Sequence, residues 1–335
     1  MPELPDVTLY VEAIAARVVS QPLLKLRLAS PFVLRTVTPA PARFEGHAVT
    51  GLRRIGKRIV LAFGTGETRL FAVIHLMVAG RFRFLPPGAK VPGKVGLAAF
   101  DFPNGTLVLT EVSKKKRASI HLVDGEAALR ALDPGGLEVL SADLPAFRQT
   151  LARENHTLKR SLTDPHLFSG IGNAYSDEIL HRARLSPVRL SSHLSDDDIG
   201  RLFDATKSTL VEWTCRLRNE AAGKFPEKVT AFRPEMAVHG RYGKPCPVCA
   251  GPVQRIVYAE NETNYCPRCQ TGGKLLMDRS LSRLLKDDWP RTIDELENRR
   301  AARSDAAPVV GVAAAASAAS AADSKPKPRR PPRRR

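Results

Sequence analysis

Four of the five cysteines form two C-x2-C pairs, and this pattern constrains the fold of the chain more than any other feature. Cys246 and Cys249 form the first pair, and sixteen residues separate it from the second pair, Cys266 and Cys269. At this spacing four thiolates can surround Zn²⁺ tetrahedrally, with a β-hairpin between the pairs. The sequence therefore predicts one structural zinc ion. The fifth cysteine, Cys215, follows a helical pattern and is expected to be a buried thiol.

The chain is strongly basic, and the charge is not confined to one end. It has 52 Lys and Arg residues against 34 Asp and Glu residues, a net charge of +18 over 335 residues. The last 35 residues account for +6, so +12 lies on the rest. Such an excess predicts attraction to polyanions, with nucleic acid first and anionic membranes second. No signal-peptide pattern and no run of ~20 strongly apolar residues is visible, which predicts a soluble, cytoplasmic protein.

Hydrophobic periodicity predicts an α+β protein of several domains. Apolar residues of 5–19 recur as on one face of a helix, and a predominantly helical pattern with a cap at Ser195 covers about 140–218. Between them, short apolar runs and turn sequences favour an antiparallel β-sandwich or barrel. Strands are expected at Leu24–Leu28, Arg69–Leu76, Arg81–Phe84, Leu97–Phe102, Leu107–Thr110 and Ile120–Val123. The expected units are a β-sandwich domain (1–126), a helical domain (127–238), a zinc finger (239–273), a possible helix (274–300) and a disordered basic tail (301–335).

The N-terminus places a proline and a carboxylate side by side. A small residue such as Pro2 usually allows removal of Met1, which leaves a secondary amine next to Glu3. An α-amine has a pKa near ~8, so part of it is unprotonated at neutral pH and can form a Schiff base with an aldehyde-level carbon. Many chains begin in this way, and Glu3 can equally be a first-turn carboxylate that the helix dipole favours.

Four motifs occur along the chain in a fixed order. They are the Met1-Pro-Glu-Leu-Pro-Asp-Val7 start, Gly56-Lys57 in a basic strand, the segment Ser169-Gly-Ile-Gly-Asn-Ala-Tyr-Ser-Asp-Glu-Ile-Leu180, and the four-cysteine hairpin. Together they resemble the bacterial formamidopyrimidine-DNA glycosylase and endonuclease VIII family over about residues 1–272. The N-terminal motif is closer to formamidopyrimidine glycosylase. The resemblance implies a β-sandwich flanked by helices, a helix–two-turn–helix domain and a zinc-finger β-hairpin, with DNA in the cleft between them.

The resemblance also implies three catalytic residues. Pro2 is expected to attack C1′ of a nucleotide flipped out of the duplex, and Glu3 to move protons at the sugar ring oxygen. Lys57 matches the family's lysine on a β-turn and is expected to contact phosphate and to support the proton transfers. The imine then allows β-elimination, which δ-elimination can follow, so one site would act as glycosylase and abasic-site lyase. Because Lys57 lies among three arginines, it can also be one phosphate contact in a basic stretch.

Further residues are implied to support the site or to bind DNA. Asp6 stands where glutamate is more usual, and Lys159 and Asp164 match family positions near the cleft. Asn173 is expected to cap the helix that carries Tyr175. His75 lies on an apolar strand and can be either a core histidine or a backbone contact. The expected DNA contacts are Asn173, Tyr175, Lys114, Lys115, Lys116, Arg117 and Asn261.

Three features depart from the family pattern. The hairpin tip around Asn261 is neutral and acidic where an arginine is usual. The loop after Glu111 contains Lys-Lys-Lys-Arg and no aromatic wedge, and Val78 stands where a void-filling methionine is usual. These changes favour substrates that need little duplex opening, such as abasic sites and ring-opened bases.

The sequence is compatible with three functions. The first is a bifunctional base-excision repair enzyme that acts on damaged double-stranded or partly single-stranded DNA as a monomer with no membrane partner. The second is a protein of the same fold that binds damaged DNA without turnover, which the altered wedge favours. The third, a ribbon-type RNA or transcription protein, explains the cysteines but not Pro2. The secondary amine favours the enzyme, because binding alone does not require it.

Overall fold

The computed structural model describes residues 1–65, 69–227, 229–230, 232–258, 261–277 and 288–305. Within these ranges it consists of a β-sandwich, a helical domain and a C-terminal β-hairpin with short flanking helices. None of the helices described here has the length and apolar character needed to cross a membrane. Most of the predicted tail lies outside the described residues.

The β-sandwich consists of two four-stranded antiparallel sheets. One sheet has the strand order β1-β6-β7-β5, and the other has the order β2-β3-β4-β8. The sandwich thus confirms the predicted fold class. The strands are β1 (Lys25–Leu28), β2 (Val49–Ile55), β3 (Arg58–Phe63), β4 (Leu70–His75), β5 (Gly80–Leu85), β6 (Gly96–Phe102), β7 (Gly105–Glu111) and β8 (Ser119–Asp124).

The alternation of side chains along β3 shows how the sandwich is filled. Ile59 and Leu61 belong to the core between the sheets, whereas Val60 points to the opposite face and packs against the short helix α2 (Gly125–Arg130). Helix α1 (Leu4–Val18) contributes to the same central core through its buried apolar face. Because both faces of the sheet are covered at its two central strands, β3 and β4 are apolar on both sides.

The helical domain packs around a second core. Its helices are α3 (Leu144–Ala152), α4 (Leu158–Thr163), α5 (Asn173–Ala183) and α6 (Asp196–Ala221). Ser195 caps α6 as predicted, since its side chain accepts a hydrogen bond from the backbone N–H of Asp198 at 3.2 Å. Leu4 of α1 belongs to this second core, so the first turn of the chain joins the two domains.

The C-terminal unit is a β-hairpin whose strands are β9 (Gln254–Tyr258) and β10 (Asn261–Tyr265), followed by helix α7 (Pro267–Thr271). The hairpin lies between the two cysteine pairs, as predicted. Helix α8 spans Ile293–Asp305, so it starts later and ends later than the helix expected within 274–300.

Two local predictions are wrong. Gly56 and Lys57 do not lie in a strand but form the turn between β2 and β3, in agreement with the β-turn that the resemblance implies for Lys57, and Gly56 has a φ of +56°. Cys215 is exposed, because residues two apart in a helix point to opposite sides, and its neighbours Trp213 and Leu217 face the core.

The aromatic cluster of the helical domain yields a stability prediction. The ring of Phe147 is fully buried, with centroids 4.9 Å from Phe168 and 5.4 Å from Phe203. Phe147→Ala should lower the free energy of unfolding by about 3–5 kcal/mol, because it leaves a cavity. Phe32→Ala, at a residue 79% exposed, should change it by less than about 0.5 kcal/mol. Guanidinium unfolding followed by circular dichroism measures both, and equal effects would contradict the prediction.

Candidate active site

The carboxylate of Glu3 lies at the N-terminus of helix α5. Its oxygens accept hydrogen bonds from the backbone N–H groups of Gly172 at 2.7 Å, Ala174 at 2.8 Å and Tyr175 at 3.2 Å. These are the donors that an α-helix leaves without partners at its first turn. The helix dipole also favours negative charge at this position. Glu3 is therefore held in one orientation although it is buried.

Gly172 is required by this arrangement for steric reasons. A Cβ atom at this position would lie 2.6 Å from the Cδ of Glu3 and 2.8 Å from the Nζ of Lys57. The backbone of Gly172 is extended, so backbone strain is not the cause. The same two distances show that the Lys57 ammonium and the Glu3 carboxylate both reach the end of α5.

The environment of Lys57 changes its acidity. Burial lowers the pKa of Lys57, while the negative charge of Glu3 opposes that change and the positive charge of Lys159 adds to it. The turn between β2 and β3 places this lysine in the gap between the sandwich and the helical domain. A lysine with a lowered pKa exchanges protons more readily near neutral pH.

Asp6 supports the backbone of Glu3 from one turn further along α1. Its Oδ2 accepts a hydrogen bond from the backbone N–H of Glu3 at 3.0 Å, and its Oδ1 has no hydrogen-bond partner among the described residues. Burial raises the pKa of Asp6 to about 6, more than the hydrogen bond from Glu3 lowers it.

The N-terminus opens into a cleft of about 290 Å³ between the two domains. Met1 is present and lines this cleft together with Lys57, and Pro2 is buried behind it. Burial lowers the pKa of the Met1 α-amine. The cleft is also lined by His75, whose Nδ1 accepts the backbone N–H of Met77 at 2.9 Å. Burial, with nearby Arg58 and Lys57, lowers the pKa of His75 to about 4, so this ring is neutral at pH 7.

A buried polar cluster lies beside this site on α5. Asp177 pairs with Lys159 and also accepts hydrogen bonds from the Nδ1 of His239 at 2.8 Å and the backbone N–H of Asn264 at 3.1 Å. The Nζ of Lys159 donates to the carbonyl of Asn173 at 2.7 Å. Sequence reasoning did not identify Asp177 or His239 as functional positions. The signal that could have found Asp177 is a charged residue on the apolar face of a helix.

The residues predicted to bind DNA fall into different environments. Asn173 is the first residue of α5 and does not cap it, since its Nδ2 donates to the carbonyl of Glu262 at 2.8 Å. The ring of Tyr175 is 1% exposed and packs edge-on against Trp213, with centroids 5.9 Å apart, so it belongs to the core rather than to a DNA-facing surface. Asn261 is exposed at the start of β10. Asp164 ends α4, and its Oδ1 accepts the backbone N–H of His166 at 2.8 Å.

The lysine-rich segment forms a closed loop between β7 and β8. The buried carboxylate of Glu111 accepts the backbone N–H groups of Arg117 at 2.9 Å and Ala118 at 3.0 Å. The ammonium of Lys116 donates to the carbonyl of Glu111. Lys114 and Lys115 are exposed on the loop. The buried carboxylate therefore sets the shape of the loop.

The four cysteines fit a zinc ion. All four Sγ atoms lie within 4.8 Å of one another, with 3.9 Å between Cys246 and Cys269 and 3.4 Å between Cys249 and Cys266. A tetrahedron with Zn–S bonds of about 2.3 Å has sulfur–sulfur edges of about 3.8 Å. Four thiolates leave no coordination position for water, so this is a structural zinc site.

Comparison with known domain families identifies three consecutive matches. The formamidopyrimidine-DNA glycosylase N-terminal domain matches residues 1–133, the formamidopyrimidine-DNA glycosylase H2TH domain matches 136–216, and a zinc finger found in FPG and IleRS matches 243–272. The formamidopyrimidine-DNA glycosylase of Heliobacterium modesticaldum is 32% identical over 284 residues, which cover 81% of this chain and 100% of that protein. The chain belongs to the formamidopyrimidine-DNA glycosylase family.

Other relatives of the chain in this DNA repair family include proteins whose structures have been solved. An uncharacterized formamidopyrimidine-DNA glycosylase-like protein of Mycobacterium tuberculosis is 42% identical over 158 residues, 47% of this chain and 96% of that protein. The Lactococcus lactis enzyme in complex with DNA containing an abasic site has a TM-score of 0.70 and 25% identity, over 80% of this chain and 99% of that chain. Its complex with DNA containing Fapy-dG has a TM-score of 0.71 and 25% identity, over 80% and 100%.

The space around Gly172 yields the first prediction for this glycosylase site. Gly172→Ala should reduce activity on damaged DNA by about 100-fold or more, because the added methyl group displaces Glu3 or Lys57 from the end of α5. Single-turnover cleavage of a damaged oligonucleotide measures the effect. Gly200→Ala, in α6 with open space around it, is the matched control and should keep full activity. Full activity of the Gly172→Ala enzyme would contradict this geometry.

The raised pKa of Asp6 yields the second prediction. The folded protein binds this proton more tightly than the unfolded chain, whose pKa is near 3.8, so the free energy of unfolding should fall as the pH rises from there to about 6. The decrease attributable to Asp6 is roughly 3 kcal/mol, and Asp6→Asn should remove it. Denaturant unfolding at several pH values provides the measurement, with the exposed Asp204→Asn as control. The idea fails if the Asp6→Asn profile keeps the same slope.

Proposed function

We propose that the protein is a bifunctional DNA glycosylase and abasic-site lyase that removes oxidised or ring-opened bases in base-excision repair. The observation that carries this proposal is the meeting of Glu3 and Lys57 at the end of α5, beside the buried N-terminus. A buried carboxylate and a lysine of lowered pKa next to the N-terminus of the chain are the groups needed for imine chemistry on a sugar. The DNA complexes of the Lactococcus lactis enzyme support the choice of substrate class.

The proposed reaction begins after removal of Met1, when the secondary amine of Pro2 is free. The amine nitrogen forms a bond to C1′ of the flipped nucleotide, and the bond from C1′ to the base breaks, so that its electron pair leaves with the base and is protonated. We assign to Glu3 the transfer of a proton to the sugar ring oxygen. Ring opening then gives an iminium ion, in which the nitrogen has lost its proton.

Elimination follows from the acidity of the C2′ proton next to the iminium carbon. A base removes this proton, and the electron pair of the broken C–H bond forms a double bond between C2′ and C3′. The bond from C3′ to its oxygen breaks at the same time, so the 3′ phosphate leaves. A second elimination can release the 5′ phosphate. Lys57, whose pKa burial lowers, is placed to transfer protons in these steps.

Several surface residues support binding of damaged double-stranded or partly single-stranded DNA. Lys114, Lys115 and Arg117 are exposed on the closed loop and supply positive charge. We assign DNA contacts to this loop, to Asn173 and to Asn261, and a supporting role near the cleft to Lys159 and Asp164. The protein is proposed to act as a monomer, with domains that divide near residues 126, 238 and 273.

A second function, damage binding without turnover, is supported by the surface that would replace the flipped base. Val78 and Val112 are exposed, and the loop between β7 and β8 carries cations instead of an aromatic ring. Such a surface fills the space left by a base poorly, which weakens extrusion of a base from intact duplex. The two functions differ in one respect: only the enzyme forms a covalent intermediate with the DNA.

The imine assignment predicts a trappable adduct. Sodium borohydride should link the wild-type protein to an oligonucleotide with an abasic site, because it reduces the imine of Pro2 to a stable amine. A permanent N-terminal tag should abolish the adduct, whereas the same tag at the C-terminus should preserve it. Gel electrophoresis measures the adduct.

Two outcomes would contradict the proposal in different ways. Equal trapping by the N-terminally tagged protein would exclude Pro2 as the nucleophile. Absence of any adduct from the wild-type protein, together with tight binding to the same oligonucleotide, would favour damage binding without turnover.

A further inference from the structure

The last turn of helix α5 touches the zinc site through a histidine. The Nε2 of His181 lies 3.2 Å from the Sγ of Cys246, and both side chains are buried. A zinc-bound cysteine is a thiolate, which has no proton to donate. The hydrogen bond must therefore run from an Nε2–H of His181 to the sulfur.

The position of His181 on α5 is part of a regular pattern. Asn173, Asp177 and His181 are spaced by four residues, so they lie along one face of the helix. Asn173 donates to the carbonyl of Glu262, and Asp177 accepts from the backbone of Asn264. Each turn of this face thus makes at least one polar contact with the zinc-finger unit.

Cys246 accepts a second hydrogen bond from within the finger, from the backbone N–H of Val248 at 3.5 Å. The contact with His181 differs from it because the donor is a side chain of another domain. Among the residues that the structure describes, His181 is the side-chain donor that reaches a ligand sulfur from the helical domain. Four thiolates around one Zn²⁺ leave an excess of two negative charges, which N–H donors of this kind offset.

The bond to Cys246 is one of several that attach the finger to α5. A cavity of about 280 Å³, lined by His181, Trp213 and Val248 among others, lies beside it. The Nε2 of Gln270 in α7 donates to the carbonyl of Leu185, just beyond the end of α5, at 2.9 Å. The His181 bond differs from this one because its acceptor is a ligand sulfur, so it can act on the metal as well as on the attachment.

We propose that His181 is a positioning residue of the zinc site, which stabilises the Cys246 thiolate and attaches the zinc finger to the last turn of α5. Its contribution concerns retention of the metal and does not depend on the imine chemistry proposed above. Loss of the hydrogen bond should weaken zinc binding by about 10-fold or more, as for other outer-shell partners of metal ligands.

The test compares zinc release from the full-length, zinc-loaded protein and its variants. Transfer of zinc to a chromogenic chelator gives the release rate, and the thiolate-to-metal charge-transfer band of the Co²⁺-substituted protein reports on the ligand sulfurs. His181→Phe, which removes the donor, should release zinc about 10-fold faster and shift that band. His181→Gln, whose amide can donate from a similar position, should remain within about threefold of the wild type. His193→Phe, at an exposed histidine, is the matched control and should behave as the wild type.

The comparison between variants decides the proposal. If His181→Phe retains zinc at the wild-type rate with an unchanged Co²⁺ spectrum, the proposal is wrong. Equally fast release from the Gln and Phe variants would also overturn it, because the donor would then not matter. Should His181→Phe fail to fold, as judged by circular dichroism, His181→Met removes the donor with a more adaptable side chain and takes its place in the same comparison.

Discussion

Three backbone N–H groups at one helix end hold the carboxylate of Glu3, and the rest of the site depends on this contact. A buried carboxylate without partners would cost several kcal/mol, so the start of the chain and the end of α5 are stable only together. The backbone N–H of Leu4 also donates to the carbonyl of Gly170 at 2.9 Å. Because Glu3 precedes α1 and its donors belong to the helical domain, the candidate active site forms only where the two domains meet.

Helix α5 makes contacts with the N-terminal segment, the β-hairpin and the zinc site. Its N-terminus binds Glu3, its middle holds the hairpin through Asp177, and its last turn reaches Cys246 through His181. The buried carboxylate of Glu178 accepts three backbone N–H groups from residues 237–239, which fixes the segment that leads into the zinc finger. A single helix therefore sets the relative positions of the Glu3 carboxylate, the hairpin and the zinc site.

Local signals in the sequence predicted α1, the cap at Ser195 and the zinc hairpin, because each depends on residues close together in the chain. The β2–β3 hairpin over residues 49–63 was missed as a pair of strands, since its charged residues mask the alternation. The helix cap assigned to Asn173 was wrong, because the carboxylate that occupies this helix end comes from 170 residues earlier in the chain. Similarly, the burial of Tyr175 depends on how α5 packs against α6, which spacing alone does not show.

The closed loop after Glu111 carries exposed cations on a backbone that a buried carboxylate holds. Its backbone N–H groups at Arg117 and Ala118 are held by one buried carboxylate, whereas the side chains of Lys114 and Lys115 are exposed. Because the anchoring bonds that Glu111 accepts come from the backbone, they do not require a particular side chain at Lys114 or Lys115. The charge that this loop presents to solvent can therefore change by substitution at these two positions while the carboxylate that holds the backbone is retained.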